Sequence, residues 1–462
     1  MRRISLAMLL LAASALLTLS TATSSGASDS TEQATNYETD LRLALGLPVG
    51  SDDLARAHQS SGDDAEYGIP LSASDVAHVQ QVDLLRDLSE DVNRSLVEAS
   101  PGFVGSWLDN RSLTMHVVDT NVTTAARVAA YATAKATFVF ESAKIDAQQL
   151  TATMAALEKA RNAEGRDSAL LSWQLDVQQD AVVVKVHGEL PSEVTDLPGL
   201  RPEFVTDPPT ASWADRTTPF PHVRGGLGLV DPNVNHTGYS SYCSSTLSAV
   251  GAGPTYYELT AGHCGKAGDS WNEGCVQGAQ PVNCPPVWTT VNTLPPVSIG
   301  LDRGGSFVSG GTCDCRYIGP ISVAQATNLI YKVDTDSYAI TDIGQRSTLS
   351  IGTVLCWSGV TSGFEGRSWI DGPPGVVCGG VASNDATQPT LAGPPWDPGN
   401  HYFVHQILLN QTLADGDSGA PLFAGSLLYG VASLRYGSQS YFSSAGNIAP
   451  NLNVTPLTYN VS

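Results

Sequence analysis

The first 242 residues of this 462-residue chain contain no cysteine; all eight cysteines fall between Cys243 and Cys378. That asymmetry marks a change of domain, and an even cysteine count in an exported protein points to disulfides rather than to a metal centre. Basic residues are also scarce, with 24 Lys and Arg against 45 Asp and Glu and a formal charge of -21. Recognition of nucleic acid needs clustered cations to neutralise phosphates, so the balance argues against that class of partner and favours a freely soluble surface. Nothing after the first twenty residues is long and apolar enough to span a bilayer. There is no internal repeat, no phosphate-binding glycine loop and no HExxH pair. Cys313-Asp314-Cys315 lacks the spacing of zinc ligands, and His401 and His405 sit in a run that reads as a strand, as ordinary histidines. No metal and no cofactor are expected.

What is present begins with Arg2 and Arg3, a Leu- and Ala-rich run from Ile4 to Leu19, and small residues around Ala22 and Ala27. Residues 1–27 therefore read as a secretion signal, and the protein as secreted and extracellular. Ser24 to Asn36 is too poor in apolar residues to fold. Residues 37–200 read as a small α+β domain. In it Val76, Val79, Leu84, Leu88, Val92 and Leu96 recur at helical spacing, and "SLTMHVVD" and "DAVVVKVHG" read as strands. Between those strands "TAARVAAYATAK" and "QQLTATMAALEKARNAE" read as helices. A Pro-, Asp- and Thr-rich stretch places a linker at 201–222. From 223 to 462 helical periodicity disappears and short Val, Ile, Tyr and Thr runs alternate with Gly and Pro turns, the pattern of an all-β barrel or sandwich. "LIYKVDTDSYAITDIG" and "YFVHQILL" each read as one strand.

The chemistry is concentrated in "LADGDSGAPLF", Leu413 to Phe423, where small residues and two carboxylates surround Ser418. A serine hydroxyl attacks carbonyls slowly unless a neutral imidazole takes its proton and a carboxylate orients the ring. Of nine histidines, His263 stands in the telling context, "ELTAGHCG", where a strand runs into a turn of small residues beside Cys264.

"LTAGHC" followed by "GDSGAP" resembles the chymotrypsin-like serine proteases, in which His, Asp and Ser appear in that order. "VRGG" at Val223, "LCWSGVTSG" with "VVCGG", and the N-terminal "SWQLDVQQDAVVVKV" are similar to the streptogrisin and alpha-lytic protease branch and its propeptide. The resemblance implies an all-β double β-barrel protease domain with the triad in the cleft, preceded by a small α+β prodomain removed by cleavage near 201–222. It implies disulfides Cys243–Cys264 and Cys356–Cys378. It places the triad aspartate in a strand between the other two members. Asp314 in "TCDCRYIG" fits best and Asp302 in "GLDRGG" is the competitor. Cys313 and Cys315 are too close in sequence to suit a disulfide with each other, so each is expected to pair with Cys275 or Cys284. The oxyanion hole falls on the backbone N–H groups of Gly416 and Ser418. Asp417 becomes a buried anchor needing a partner, and Trp357 stands where the branch carries an arginine. The freed N-terminal amine, Arg346 or Arg435 would substitute, or the anchoring differs. Substrate contacts fall on Thr412, Ser433 and Arg435. Thr412 in place of an acid disfavours cleavage after Lys or Arg, and Arg435 either narrows the pocket, favours acidic residues there, or points to solvent. The function implied is a monomeric, secreted serine endopeptidase acting on protein or peptide substrates, with its own N-terminal prodomain as partner. The alternatives are an inactive binding module of the same fold and an esterase using the same triad.

Overall fold

Ser72 opens the longest helix, Ala73–Ala99, with a reciprocal cap: its side chain accepts from the Asp75 amide while the Asp75 carboxylate accepts from the Ser72 amide. Such a box satisfies two of the four orphan N–H groups at a helix start. The computed structural model describes residues 37–60, 67, 69–131, 136–164, 168–206, 224–231, 242–273, 297–333, 336–362, 376–394, 397 and 399–461. The signal segment 1–27, most of the 201–222 linker, Cys275 and Cys284 lie outside the described residues.

The helix buries Val79, Val82, Leu85, Val92 and Leu96. Leu84, expected on that face, is 36% exposed. The buried face holds to three- and four-residue steps, as a helix of 3.6 residues per turn requires, and Leu84 lies one step off it. The helix covers a three-stranded sheet of Phe103–Asp109, Thr114–Asp119 and Thr137–Ser142, whose second pair is parallel. A further helix, Ala147–Glu164, packs on the hairpin of Leu170–Asp176 and Ala181–Val186. Leu200–Phe204, placed by the sequence at the edge of the linker, is a strand parallel to the second arm of that hairpin. Its backbone groups thereby find partners in an otherwise exposed sheet edge.

The C-terminal half is mostly β and is built on two β units, one a closed barrel and the other a half-barrel. Strands Val354–Trp357, Pro421–Ala424, Leu427–Tyr436, Gln439–Ser444, Gln406–Leu409 and Val377–Thr387 pair in that order, and the last pairs back to the first, closing a six-stranded barrel. The other unit is an eight-stranded sheet, not a six-stranded ring, with no closing pair among the described residues. The disulfide Cys356–Cys378 joins directly opposed residues of the closed barrel.

Two of the expected single strands are interrupted. Leu329–Val333 and Asp336–Ala339 form an antiparallel hairpin. The run before Leu409 is broken because His405 adopts a left-handed φ of 57°, so only Gln406–Leu409 joins the sheet. The two halves also share a sheet: Val377–Thr387 pairs with Leu170–Asp176 at Ala386–Gln174 and Thr387–Trp173. No described helix is long and apolar enough to cross a membrane.

Candidate active site

Strand Tyr256–Thr260 delivers the chain into a single 3-10 turn, Gly262–Cys264. Gly262 is required there, because a Cβ would approach Ser306 O at 2.7 Å and Asp314 Oδ1 at 2.8 Å. The turn is thus drawn onto Asp314. His263 binds that carboxylate twice, through its backbone N–H to Oδ1 at 2.9 Å and through Nδ1 to Oδ2 at 2.6 Å. A carboxylate only accepts, so this contact places the ring proton on Nδ1 and leaves Nε2 as the unprotonated ring nitrogen.

Asp314 is 1% exposed and receives a third bond, from Ser433 Oγ at 2.6 Å, while its own N–H donates to Ser443 Oγ at 2.9 Å. Ser433 and Ser443 come from the closed barrel and His263 from the other sheet, so Asp314 sits at the seam between them. Asp302 is elsewhere. Its carboxylate pairs with Arg316 at 2.5 Å, and Arg316 Nε donates to the carbonyl of Gly262 at 2.9 Å, behind the histidine turn. Burial raises the Asp302 carboxyl above its ordinary range while Arg316 opposes the shift.

The expectation for Cys313 and Cys315 is corrected: they bond each other. The chain bends at Asp314 enough to bring their Cα atoms to 5.3 Å, inside the range a disulfide tolerates. The bridge closes around Asp314 itself and fixes the backbone that carries it.

Ser418 is bound to the same seam. Its carbonyl accepts from Ser244 N at 2.6 Å, and the Ser244 hydroxyl donates to Gly416 O at 2.8 Å. Ser244 follows Cys243, whose disulfide partner Cys264 follows His263. One hydrogen-bonded strand and one disulfide therefore tie the serine turn to the histidine turn. Gly419 lets them close, since a Cβ there would stand 2.1 Å from Ser244 O, 2.3 Å from Thr260 Oγ1 and 3.0 Å from Ala261 N. Gly416 has a φ of 89°, in the region glycine adopts most readily, just before the serine. Ser418 and His263 are 6% and 7% exposed. The grouping of Cys243, His263 and Cys264 has metal-ligand spacing, but both sulfurs are consumed in their disulfide.

Asp417, fully buried, settles the question of its partner. Oδ2 accepts from Trp357 Nε1 at 3.2 Å, from Ala414 N at 3.0 Å and from Ser362 Oγ; Oδ1 accepts from Thr361 N at 3.1 Å and Ser362 N at 2.9 Å. Trp357 is itself a donor, and all five donors are uncharged. Arg346 is engaged with Asp385 at 3.0 Å. Arg435 does not point to solvent: Nη2 meets Asp415 Oδ1 at 2.7 Å and Nη1 donates to Leu413 O at 3.3 Å. Thr412, half-buried, heads the same turn.

Comparison with known proteins adds the following. The chain matches no protein-family model and no curated protein. Among solved structures it is similar to the Nocardiopsis protease NAPase, with 17% identity over 51% of this chain and 98% of that one and a TM-score of 0.34. It is similar to Thermobifida fusca protease A at 19% identity over 52% and 100%, TM-score 0.35. The Cellulomonas bogoriensis chymotrypsin gives the same figures, 19% identity over 52% and 100% at 0.35.

Reading the sequence missed Ser244, Gly419, Ser443, Arg316 and Gln388 near the site. Only Gly419, the small residue after the serine, carried a local signal. The His401 ring lies tilted against Phe307 at 4.2 Å between ring centroids, and Phe307 lies 6.2 Å from the His263 ring. His405 pairs with Asp385 at 2.8 Å. The two histidines thus serve separate neighbours.

Proposed function

We propose that this chain is a serine endopeptidase, secreted after loss of residues 1–27, in which Ser418, His263 and Asp314 form the catalytic triad. The observation that carries the reading is the double hydrogen bond of His263 to Asp314, with the Ser418 turn tied to the same place through Ser244 and Cys243–Cys264. Ser418 Oγ attacks the peptide carbonyl as its proton passes to His263 Nε2, and Asp314 stabilises the imidazolium. The N–H groups of Gly416 and Ser418 receive the oxyanion. Collapse breaks the C–N bond, and the imidazolium gives its proton to the departing amine. Water, activated by the same imidazole, then hydrolyses the acyl-enzyme and restores the hydroxyl.

The N-terminal domain, 37–200, is read as a prodomain that assists folding and is cleaved from the 223–462 protease domain within 201–222. This is supported by the sheet it shares with the closed barrel. The mature enzyme is taken as an extracellular monomer. Arg435, tied across the serine turn to Asp415, narrows the pocket headed by Thr412, so small or apolar side chains before the scissile bond are preferred over Lys or Arg.

The test is covalent. A fluorophosphonate should label the protein at Ser418, as read by peptide mass, and Ser418→Ala should abolish labelling and lower turnover of a peptide pool by about 10⁴-fold or more. A protein that stays unlabelled, or a variant that keeps wild-type turnover, would end the proposal. Ester turnover without peptide turnover would make the activity esterase.

A further inference from the structure

Gln388 is 2% exposed and follows the strand Val377–Thr387. Its backbone is held at both ends: the N–H donates to Phe403 O at 3.0 Å, and the carbonyl accepts from Arg161 Nη1 at 3.3 Å. Its side-chain amide reaches Ser433, with Oε1 3.2 Å from Ser433 Oγ. That oxygen-to-oxygen contact conflicts with the proton count. Ser433 has one hydroxyl proton, and Asp314 Oδ2, an acceptor only, stands at 2.6 Å to take it. An amide oxygen facing Ser433 would then set lone pair against lone pair. Turning the amide over keeps the shape of the side chain and faces an N–H to the hydroxyl, and the two amide orientations are told apart by the hydrogen bonds they make.

We propose that Gln388 is a positioning residue for the triad: its amide N–H donates to Ser433 Oγ and thereby directs the Ser433 proton onto Asp314. The relay then runs in one sense, from Gln388 to Ser433 to Asp314, with His263 Nδ1 donating into the same Oδ2. Each donor polarises the next. With its hydroxyl turned to Asp314, Ser433 keeps the carboxylate from taking the ring proton outright and holds it in the plane where Nδ1 meets it. Without the amide N–H, the hydroxyl can rotate to other acceptors, and Asp314 loses one of its three bonds. The proposal rests on the hydrolase reading for its kinetic consequence, but the contact it invokes can be measured without turnover.

The decisive variant is Gln388→Glu, nearly isosteric but unable to donate when ionised. If Gln388 donates, Gln388→Glu should lower kcat about tenfold, the upper size of one neutral hydrogen bond, with KM within about twofold. Lowering the pH should restore part of the loss as the new carboxyl gains a proton. Gln388→Met, which keeps length without polarity, should also lower kcat, and it serves if the Glu variant does not fold. The second readout is the low-field NMR resonance of the His263 Nδ1 proton in the full chain carrying Ser418→Ala, assigned by its loss in His263→Ala. It should move in both Gln388 variants while the melting temperature stays near that of the parent. A wild-type kcat in Gln388→Met, which cannot donate at any pH, overturns the proposal. An unmoved resonance overturns it as well, even with kcat reduced, because the effect would then lie on the substrate. If the wild-type chain neither labels nor turns over substrate, the hydrolase reading fails and the resonance alone decides the role of Gln388.

Discussion

Asp314, just before the strand Cys315–Ile321, and Asp417, in the serine turn, are both buried aspartates, yet their surroundings differ in kind. Asp417 is enclosed by five neutral donors from two segments of the closed barrel, 357–362, which begins at the end of a strand, and 414–417. Gly359 makes the enclosure possible, because a Cβ there would stand 2.2 Å from Asp417 Oδ1. Asp314 instead has one titratable partner, His263, and lies where the two β units meet. A carboxylate that holds a loop is best served by donors that never change charge. One that supports proton transfer needs a partner that does. With the N-terminal domain attached the Asp417 cage is already complete, so the cleavage proposed within 201–222 would not need to supply a new amino terminus as its partner.

The largest expected effect tests the titratable side. Asp314→Asn keeps the shape but offers an N–H to the ring, favouring the wrong tautomer, and should lower turnover and fluorophosphonate labelling by about 10⁴-fold with little change in melting temperature. A loss below about tenfold would mean that Asp314 and Asp417 are equivalent structural anchors after all. Next comes the neutral side. Trp357→Phe removes one of the five donors and should destabilise the fold by about 1 to 2 kcal/mol in denaturant unfolding. Turnover per folded molecule should stay near wild type, because the other four donors still hold the turn. An unchanged unfolding midpoint would remove Trp357 from the cage.

These contrasts show which features the sequence made legible. The serine and histidine turns were readable because each motif is local: small residues adjacent to the reacting one, spaced for a tight turn. Asp314, which the fold sets against His263, stands out in the sequence only through the order His, Asp, Ser of the family it resembles and the apolar strand after it. The cage of Asp417 was not, since Trp357 and Ser362 lie 60 and 55 residues from it and only folding brings them together. The expectation of a cation, whether the freed N-terminal amine, Arg346 or Arg435, follows from the need to compensate a buried charge, but backbone N–H groups compensate it as well and leave no trace in composition. The Cys313–Cys315 bridge escaped because spacing alone does not reveal a bend at the residue between. In the N-terminal half, elements were legible by period. The continuation of its hairpin into the closed barrel was not, as sheet edges carry no label of their partner.

The smallest expected effect extends the comparison to a carboxylate with neither kind of partner. Glu90, on the helix Ala73–Ala99, is buried, and its Oε1 has no hydrogen-bond partner among the described residues. Burial pushes its carboxyl up to about 7, with Arg86 opposing and Asp87 adding to the shift. The folded-state value exceeds the unfolded one, so the folded chain keeps a proton that the unfolded chain releases. Below about pH 4.5 the group is neutral in both states and costs nothing; between there and about 7 stability falls, and above 7 the cost is complete. Glu90→Gln should therefore stabilise the full chain by on the order of 1 kcal/mol at pH 8, part of the penalty being screened by solvent, and leave it unchanged at pH 4.5. An equal gain at both pH values would show that Glu90 is destabilising through its packing, and that its charge, unlike that of Asp314 or Asp417, plays no part.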